Sequence, residues 1–326
     1  MVNKTFLCRL ALFASFFALG VIAIGAFTRL IDAGLGCPDW PGCYGHMVAP
    51  ASNAKAWAEM VHRYFVGALS LFIMLIIATI FTQRNYRTRG NCMLAIALAL
   101  LLVYQILLGQ WTVTLKLLPV IVSQHLLGGF FILSVLWLLY LNNNTALYDR
   151  LRPQAIGNLL SGAILLLFLV LVQIALGAWT STNYASLSCA DFPMCMSDQS
   201  MVWHFSAAFN LSAPVGVNYD GGVLPESIRQ TIQMTHRLGA LIVTLYLFGF
   251  GMYAASRLKK SHELMKTLYF MFGLLGLQLC IGITNVILKL PLHTAVSHNL
   301  VAVLLLLTVI TFIFKLTMTA RKARIS

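Results

Sequence analysis

Long apolar runs separated by short polar connections dominate the chain. Eight runs, at about 6–28, 58–82, 91–114, 120–141, 156–180, 229–254, 264–288 and 292–316, have the roughly 20 residues a helix needs to cross about 30 Å of hydrocarbon. They lack the apolar/polar alternation of strands, and a spanning helix satisfies its own backbone where lipid offers no partner. The pattern predicts an all-α integral membrane protein with eight transmembrane helices.

Charge orients these runs. Fifteen of the 22 Lys and Arg residues, from Lys4 and Arg9 to Arg324, flank one side; seven (Arg29, Lys55, Arg63, Lys116, Arg229, Arg237 and Lys289) fall on or near the other. The positive-inside rule then puts both termini in the cytoplasm of a multi-pass protein. The formal net charge of +13 does not indicate nucleic acid, because no Lys/Arg-rich arm carries it. Hydrophobic residues make up 60% of the chain and charged ones 10%, which excludes an ordinary soluble domain.

The runs repeat. Glu59-Met60-Val61-His62-Arg63 returns as Gln233-Met234-Thr235-His236-Arg237, at an offset of 174 (236 − 62). Gln105-Ile106-Leu107-Leu108-Gly109 followed by His125 returns as Gln278-Leu279-Cys280-Ile281-Gly282 followed by His298, at 173 (298 − 125). Ala23-Ile24-Gly25-Ala26-Phe27-Thr28 matches Ala175-Leu176-Gly177-Ala178-Trp179-Thr180 at 152 (175 − 23). The expected organisation is two tandem four-helix bundles related by internal duplication, residues 1–150 and 151–326. The first run pairs with the fifth and is therefore read as retained, not as a cleaved signal peptide. The offset grows by 22 (174 − 152), placing an insertion near Ser200 to Glu226 that reads as a surface loop.

Cys37-Pro38-Asp39-Trp40-Pro41-Gly42-Cys43 and Cys189-Ala190-Asp191-Phe192-Pro193-Met194-Cys195 lie in matched loops on the outer side. A disulfide within each, Cys37 with Cys43 and Cys189 with Cys195, is the first reading. Thiol exchange with a redox partner is a second; a zinc site lacks four convergent ligands. Cys8, Cys92 and Cys280 read as packing residues.

His62, His125, His236 and His298 fall near the outer ends of their helices. A lone intramembrane histidine is usually satisfied by a neighbour, but four in a repeated pattern at one depth read as ligands, and facing imidazoles suit a heme iron. His46, His204, His262 and His293 read as solvated or structural. Arg63 and Arg237 suit heme propionates or equally snorkelling to the interface. Glu59 shares a helix face with His62 at i, i+3, and Gln233 keeps its shape without its charge, so proton chemistry is expected only in the first copy.

The layout, Glu59-x-x-His62-Arg63, His125, His236-Arg237, His298 and the Cys37–Cys43 loop together resemble the heme A synthase family over nearly the whole chain. The resemblance implies an oxidoreductase of the bacterial-type cytoplasmic membrane that oxidises the ring methyl of heme O to the formyl group of heme A for terminal cytochrome oxidases. It implies the substrate heme on His62 and His125 beside catalytic Glu59, and a heme b cofactor on His236 and His298. Heme O synthase and an electron donor are the implied partners, in membrane lipid and without nucleic acid, and a homo-oligomer is compatible with it. Loop cysteines vary in the family, so the second pair is the less anchored. The competing classes are a pure electron-transfer b-type cytochrome, which needs no acid beside one heme, and a membrane thiol oxidoreductase, which leaves four histidines unexplained.

Overall fold

The computed structural model describes residues 5–195, 202–259 and 261–325. Among the described residues, eight helices are long and apolar enough to cross a membrane: α1 (Thr5–Leu30), α2 (Ala54–Thr82), α3 (Arg89–Thr114), α4 (Pro119–Asn143), α6 (Leu159–Thr182), α8 (Glu226–Leu258), α9 (His262–Ile287) and α10 (Leu292–Ile325). Two short helices, α5 (Thr145–Arg150) and α7 (Phe205–Ala208), sit in connections. Among the described residues there is no strand, only an isolated bridge between Cys43 and His46.

Local chemistry sets several ends. Asn53, Thr88 and Asn144 accept the backbone N–H of Ala56, Asn91 and Leu147, satisfying donors that the first helical turn leaves free. Pro119 opens α4, where its missing N–H costs nothing. Two expectations need correction. The last helix runs to Ile325, well past 316: its polar final turns are held by Lys322, whose Nζ donates to Tyr148 O and, at 2.9 Å, to Leu151 O. The 34-residue α10 is about 51 Å long at 1.5 Å per residue and so outruns the hydrocarbon. The insertion is not merely a surface loop. Its described part includes α7, Trp179 Nε1 donates to Ala208 O at 2.8 Å, and Tyr219 is buried against Leu117 and Leu118.

Packing follows one scheme in both halves. α1 lies on α2 and α4, with α3 on α4; α6 lies on α8 and α10, with α9 on α10. Between halves, α1 meets α10 and α4 meets α6 and α10. Leu133, Leu136 and Leu139 of α4 and Val303, Val309 and Phe312 of α10 are fully enclosed in this common core. Across it, residues at or within one position of matched places in the two halves touch each other. Arg29 Nη2 donates to Ser181 O at 2.8 Å, 152 residues on; Trp137 Nε1 donates to Thr311 Oγ1 at 2.8 Å, 174 residues on; Lys322 lies 4.0 Å from the Tyr148 ring centroid. Contacts between matched or nearly matched positions point to an approximate two-fold relation. The α3–α4 and α9–α10 turns agree in detail, each with two non-glycine residues at positive φ, Lys116 and Leu117, Lys289 and Leu290.

Candidate functional site

Each of the four histidines lies over a glycine of the adjacent helix. An added Cβ would stand 2.8 Å from His62 Cε1 at Gly25, 3.5 Å from His125 Cε1 at Gly109, 3.1 Å from His236 Cε1 at Gly177 and 3.1 Å from His298 Cε1 at Gly282. The repeated motifs thus encode a local device: a glycine opens one wall of a helix pair and an imidazole fills the opening. His62 and His125 line one cavity, of about 220 Å³; His236 and His298 line another, of about 490 Å³. Leu30, Leu126, Phe130, Ser181 and Asn299 border both. The structure therefore brings the four predicted histidines together as two pairs, one per half.

The rings are poised for a ligand. His62, His125 and His298 each bury an Nδ1 with no hydrogen-bond partner in the protein, and a buried polar atom left unpaired costs about 1–3 kcal/mol. Glutamines stand beside three of the rings. Gln105 Nε2 donates to His125 O at 2.8 Å, Gln278 Nε2 lies 3.2 Å from His298 Nε2, and Gln173 Nε2 lies 3.0 Å from His236 Nδ1. Apolar walls, paired imidazoles and free ring nitrogens fit a flat iron-bearing macrocycle held axially.

Above each cavity sits a cysteine loop. The disulfides Cys37–Cys43 and Cys189–Cys195 are both formed. Arg63 Nη1 donates to Asp39 O at 3.0 Å, to Pro41 O at 3.2 Å and to Gly42 O. Arg237 Nη1 donates to Asp191 O at 2.6 Å and to Pro193 O at 3.1 Å, with Nη2 to Cys189 O at 2.7 Å. Both arginines thus clamp their loops. Arg237 also lines its cavity and buries an unpartnered Nε; Arg63 does not line the first cavity. Asp39 adds a second tie, accepting from Tyr44 N at 2.6 Å and Gly45 N at 2.8 Å. The Gly45 N–H foremost holds its carboxyl below the usual range.

The acid and the amide differ in partners as well as charge. Buried Glu59 lines the first cavity, with Oε1 paired to Arg63 Nη2 and Oε2 accepting from Cys37 N at 2.8 Å. Gln233 lines the second and reverses the polarity: its Nε2 donates to Ser186 O at 3.2 Å and its Oε1 is buried without a partner. Glu59, expected at the rim of a bound ring, is therefore also an anchor of the disulfide loop.

Among the remaining residues, His46, His262 and His293 are exposed and His204 is half-buried; none lines either cavity. Cys8 and Cys92 are half-buried as expected, but Cys280 is exposed on the helix surface rather than packed. Sequence reasoning missed Arg29, which lines the first cavity while its guanidinium lies 4.0 Å from the Tyr184 ring centroid. Tyr184 OH sits 2.8 Å from Asp220 Oδ1 and 3.3 Å from Asp32 Oδ1, and burial pushes its phenol up to about 12. The match of Arg29 with Ser181 at 152 hid it, since the repeat pairs a cation with a small polar residue.

Fold and site define a class: a polytopic helical membrane protein whose two halves each bury a histidine pair in an apolar cavity beneath a disulfide loop. Within that class, the chain belongs to the cytochrome oxidase assembly protein family COX15-CtaA, whose model matches residues 8–310. It is 40% identical over 336 residues to a heme A synthase of Shewanella oneidensis, covering 95% of this chain and 96% of the relative. It is also 24% identical over 295 residues to a heme A synthase of Bacillus pumilus, covering 89% and 88%, and 25% identical over 283 residues to one of Bacillus licheniformis, covering 86% of each.

Proposed function

We propose that this protein makes heme A, oxidising the ring methyl of heme O to a formyl group for terminal cytochrome oxidases. The observation that carries the reading is the asymmetry of two matched cavities: both hold a histidine pair, but only the first has a carboxylate, Glu59, on its wall. Residues 1–150 form the substrate half, with His62 and His125 as ligands of heme O. Residues 151–326 form the cofactor half, with His236 and His298 holding heme b and Arg237 facing a propionate. Bound there, heme b would supply one-electron transfer.

The chain's own residues then have definite tasks. Two stages of oxidation, each taking one oxygen atom and a two-electron oxidant from outside the chain, carry the methyl through an alcohol to a geminal diol, which loses water to give the aldehyde. Glu59 accepts and returns protons beside the reacting edge; Arg63 holds its carboxylate, and the Cys37 N–H fixes Oε2. The apolar walls exclude bulk water. Both termini lie in the cytoplasm, the disulfide loops on the far side, and heme O synthase and an electron donor are the expected partners.

Chromatography of hemes from cells making the Glu59→Gln variant tests the reading. Heme O or the alcohol should accumulate while the purified protein keeps its heme b. Normal heme A output would remove Glu59 from the chemistry and favour a pure electron-transfer cytochrome.

A further inference from the structure

α6 carries Gln173 where α1, 152 residues earlier, carries Val21; α8 carries Gly239 where α2, 174 residues earlier, carries Phe65. The two differences fit together. A Cβ at Gly239 would stand 2.2 Å from Gln173 Oε1, so the missing side chain is what admits the amide. Once admitted, Gln173 Nε2 lies 3.0 Å from both His236 Nδ1 and His236 O, while its Oε1 is buried with no partner. Among the described residues, His236 is the one of the four cavity histidines with a side chain bonded at Nδ1, the same atom being unpartnered in His62, His125 and His298. In the first half the matched residues are apolar: Val21 lines the cavity and Phe65 stacks on Phe17 with ring centroids 5.7 Å apart.

We infer that Gln173 is a positioning residue for His236, fixing the ring so that Nε2 faces the iron and raising the electron donation of this ligand. The inference rests on the assignment of His236 as an iron ligand in the proposed function. A histidine that binds metal through Nε2 carries its proton on Nδ1, and that N–H needs an acceptor. A half-turn of the Gln173 amide exchanges its two ends and brings Oε1 to the Nδ1–H, giving up the Nε2 bond to His236 O and moving Nε2 to the place now held by the unpartnered oxygen. The His236 carbonyl, inside α8, keeps its helical bond. A hydrogen bond at Nδ1 makes the imidazole more basic, which tightens its hold on iron and lowers the reduction potential. His62 has no such partner. The first half is thereby left with a looser ligand, suited to a heme that must depart, and the second with a tighter one, suited to a heme that stays.

The test uses the full-length protein purified with its resident heme, in three variants: Gln173→Val, which copies the first half, Gln173→Glu, which offers a stronger acceptor, and His236→Ala. Midpoint potential, low-spin electron paramagnetic resonance and heme-to-protein ratio are read for each. Gln173→Val should raise the midpoint potential and weaken heme retention, by about 10- to 100-fold in affinity. Gln173→Glu should keep the heme and lower its potential below that of the unaltered protein. If Gln173→Val yields no heme-loaded protein, Gln173→Glu alone decides. Unchanged potential and resonance in the variants that retain heme overturn the inference. His236→Ala separates the two levels: loss of the low-spin heme upholds the ligand assignment even where Gln173 proves inert, whereas its retention removes the assignment on which the inference stands.

Discussion

The two cavities each hold a histidine pair on a repeated frame and share Leu30, Leu126, Phe130, Ser181 and Asn299, but their own linings differ. The first has Glu59, Val21 and Val66 where the second has Gln233, Gln173 and Ala240. The first measures about 220 Å³ and the second about 490 Å³. The larger space has the more complete polar support around its rings; the smaller has the single acid. On the proposed assignment, the larger cavity suits a resident group and the smaller one, with the acid on its wall, a passing substrate.

The largest expected effect comes from the histidines. His236→Ala or His298→Ala should reduce the resident heme b absorbance of the purified protein more than tenfold, since removing an axial ligand destroys the low-spin state. His62→Ala or His125→Ala should leave that spectrum in place and abolish heme A output in the same cells. The reverse pattern would exchange the roles assigned to the halves.

Next come the loops. Serine at both cysteines of a pair should cost about 2 kcal/mol of stability, the chain-entropy value for so short a closure, read as a lowered unfolding temperature. The two loops should not be equal in function. Cys37 N bonds Glu59, so opening Cys37–Cys43 should also lower heme A formation, whereas opening Cys189–Cys195 should chiefly weaken heme retention. Equal effects on both readouts would blur the contrast between halves.

Smaller still is the tie between halves at the loop surface. Tyr184→Phe removes the hydroxyl from Asp220 and Asp32, a loss of about 0.5–1.5 kcal/mol. Protease cleavage within 209–225 should rise several-fold with heme b binding unchanged; an unaltered cleavage rate would show that Tyr219 alone secures the insertion. The smallest effect is that of pH on the first loop. Folding depresses the Asp39 carboxyl below its ordinary value of 3.8, so its contribution is present above that value and lost as pH falls through the depressed one. Asp39→Asn should flatten this acid sensitivity, measured as loop protection against hydrogen exchange between pH 5 and about 3.

The membrane made most of the fold legible, because hydrocarbon admits almost nothing but apolar helices. What sequence missed was set by contacts instead of hydropathy. α5 and the last turns of α10 depend on Lys322 meeting Tyr148 and Leu151, and the insertion depends on Tyr219 docking against Leu117 and Leu118. In the site, repetition exposed His62, His125, His236 and His298 and placed Gly25 and Gly177 in view, though only packing gave the glycines a meaning. The Glu59–Arg63 pair is written in the sequence at i, i+4, a spacing that favours such pairing, whereas the loop carbonyls that Arg63 also meets come from a separate stretch of chain. Gln173 was concealed for another reason: comparison of the copies highlights what they share, and its partner is Val21.

The bond between Trp137 and Thr311 bears on why one continuous chain is used. In the register that pairs His125 with His298, Trp137 answers to Ile310 and Thr311 to Leu138, so in a symmetric pair of identical subunits the indole would meet an apolar side chain and find no acceptor. Two halves on one polypeptide are free of that rule, and a donor on one side can be matched by a hydroxyl on the other. The same freedom forbids return: a second copy of the first half would offer Leu138 where Thr311 now stands and leave the indole N–H without its acceptor. Covalent linkage thus acts as a genetic licence for inequality, keeping the two partners at a fixed ratio of one to one while each drifts toward its own trade.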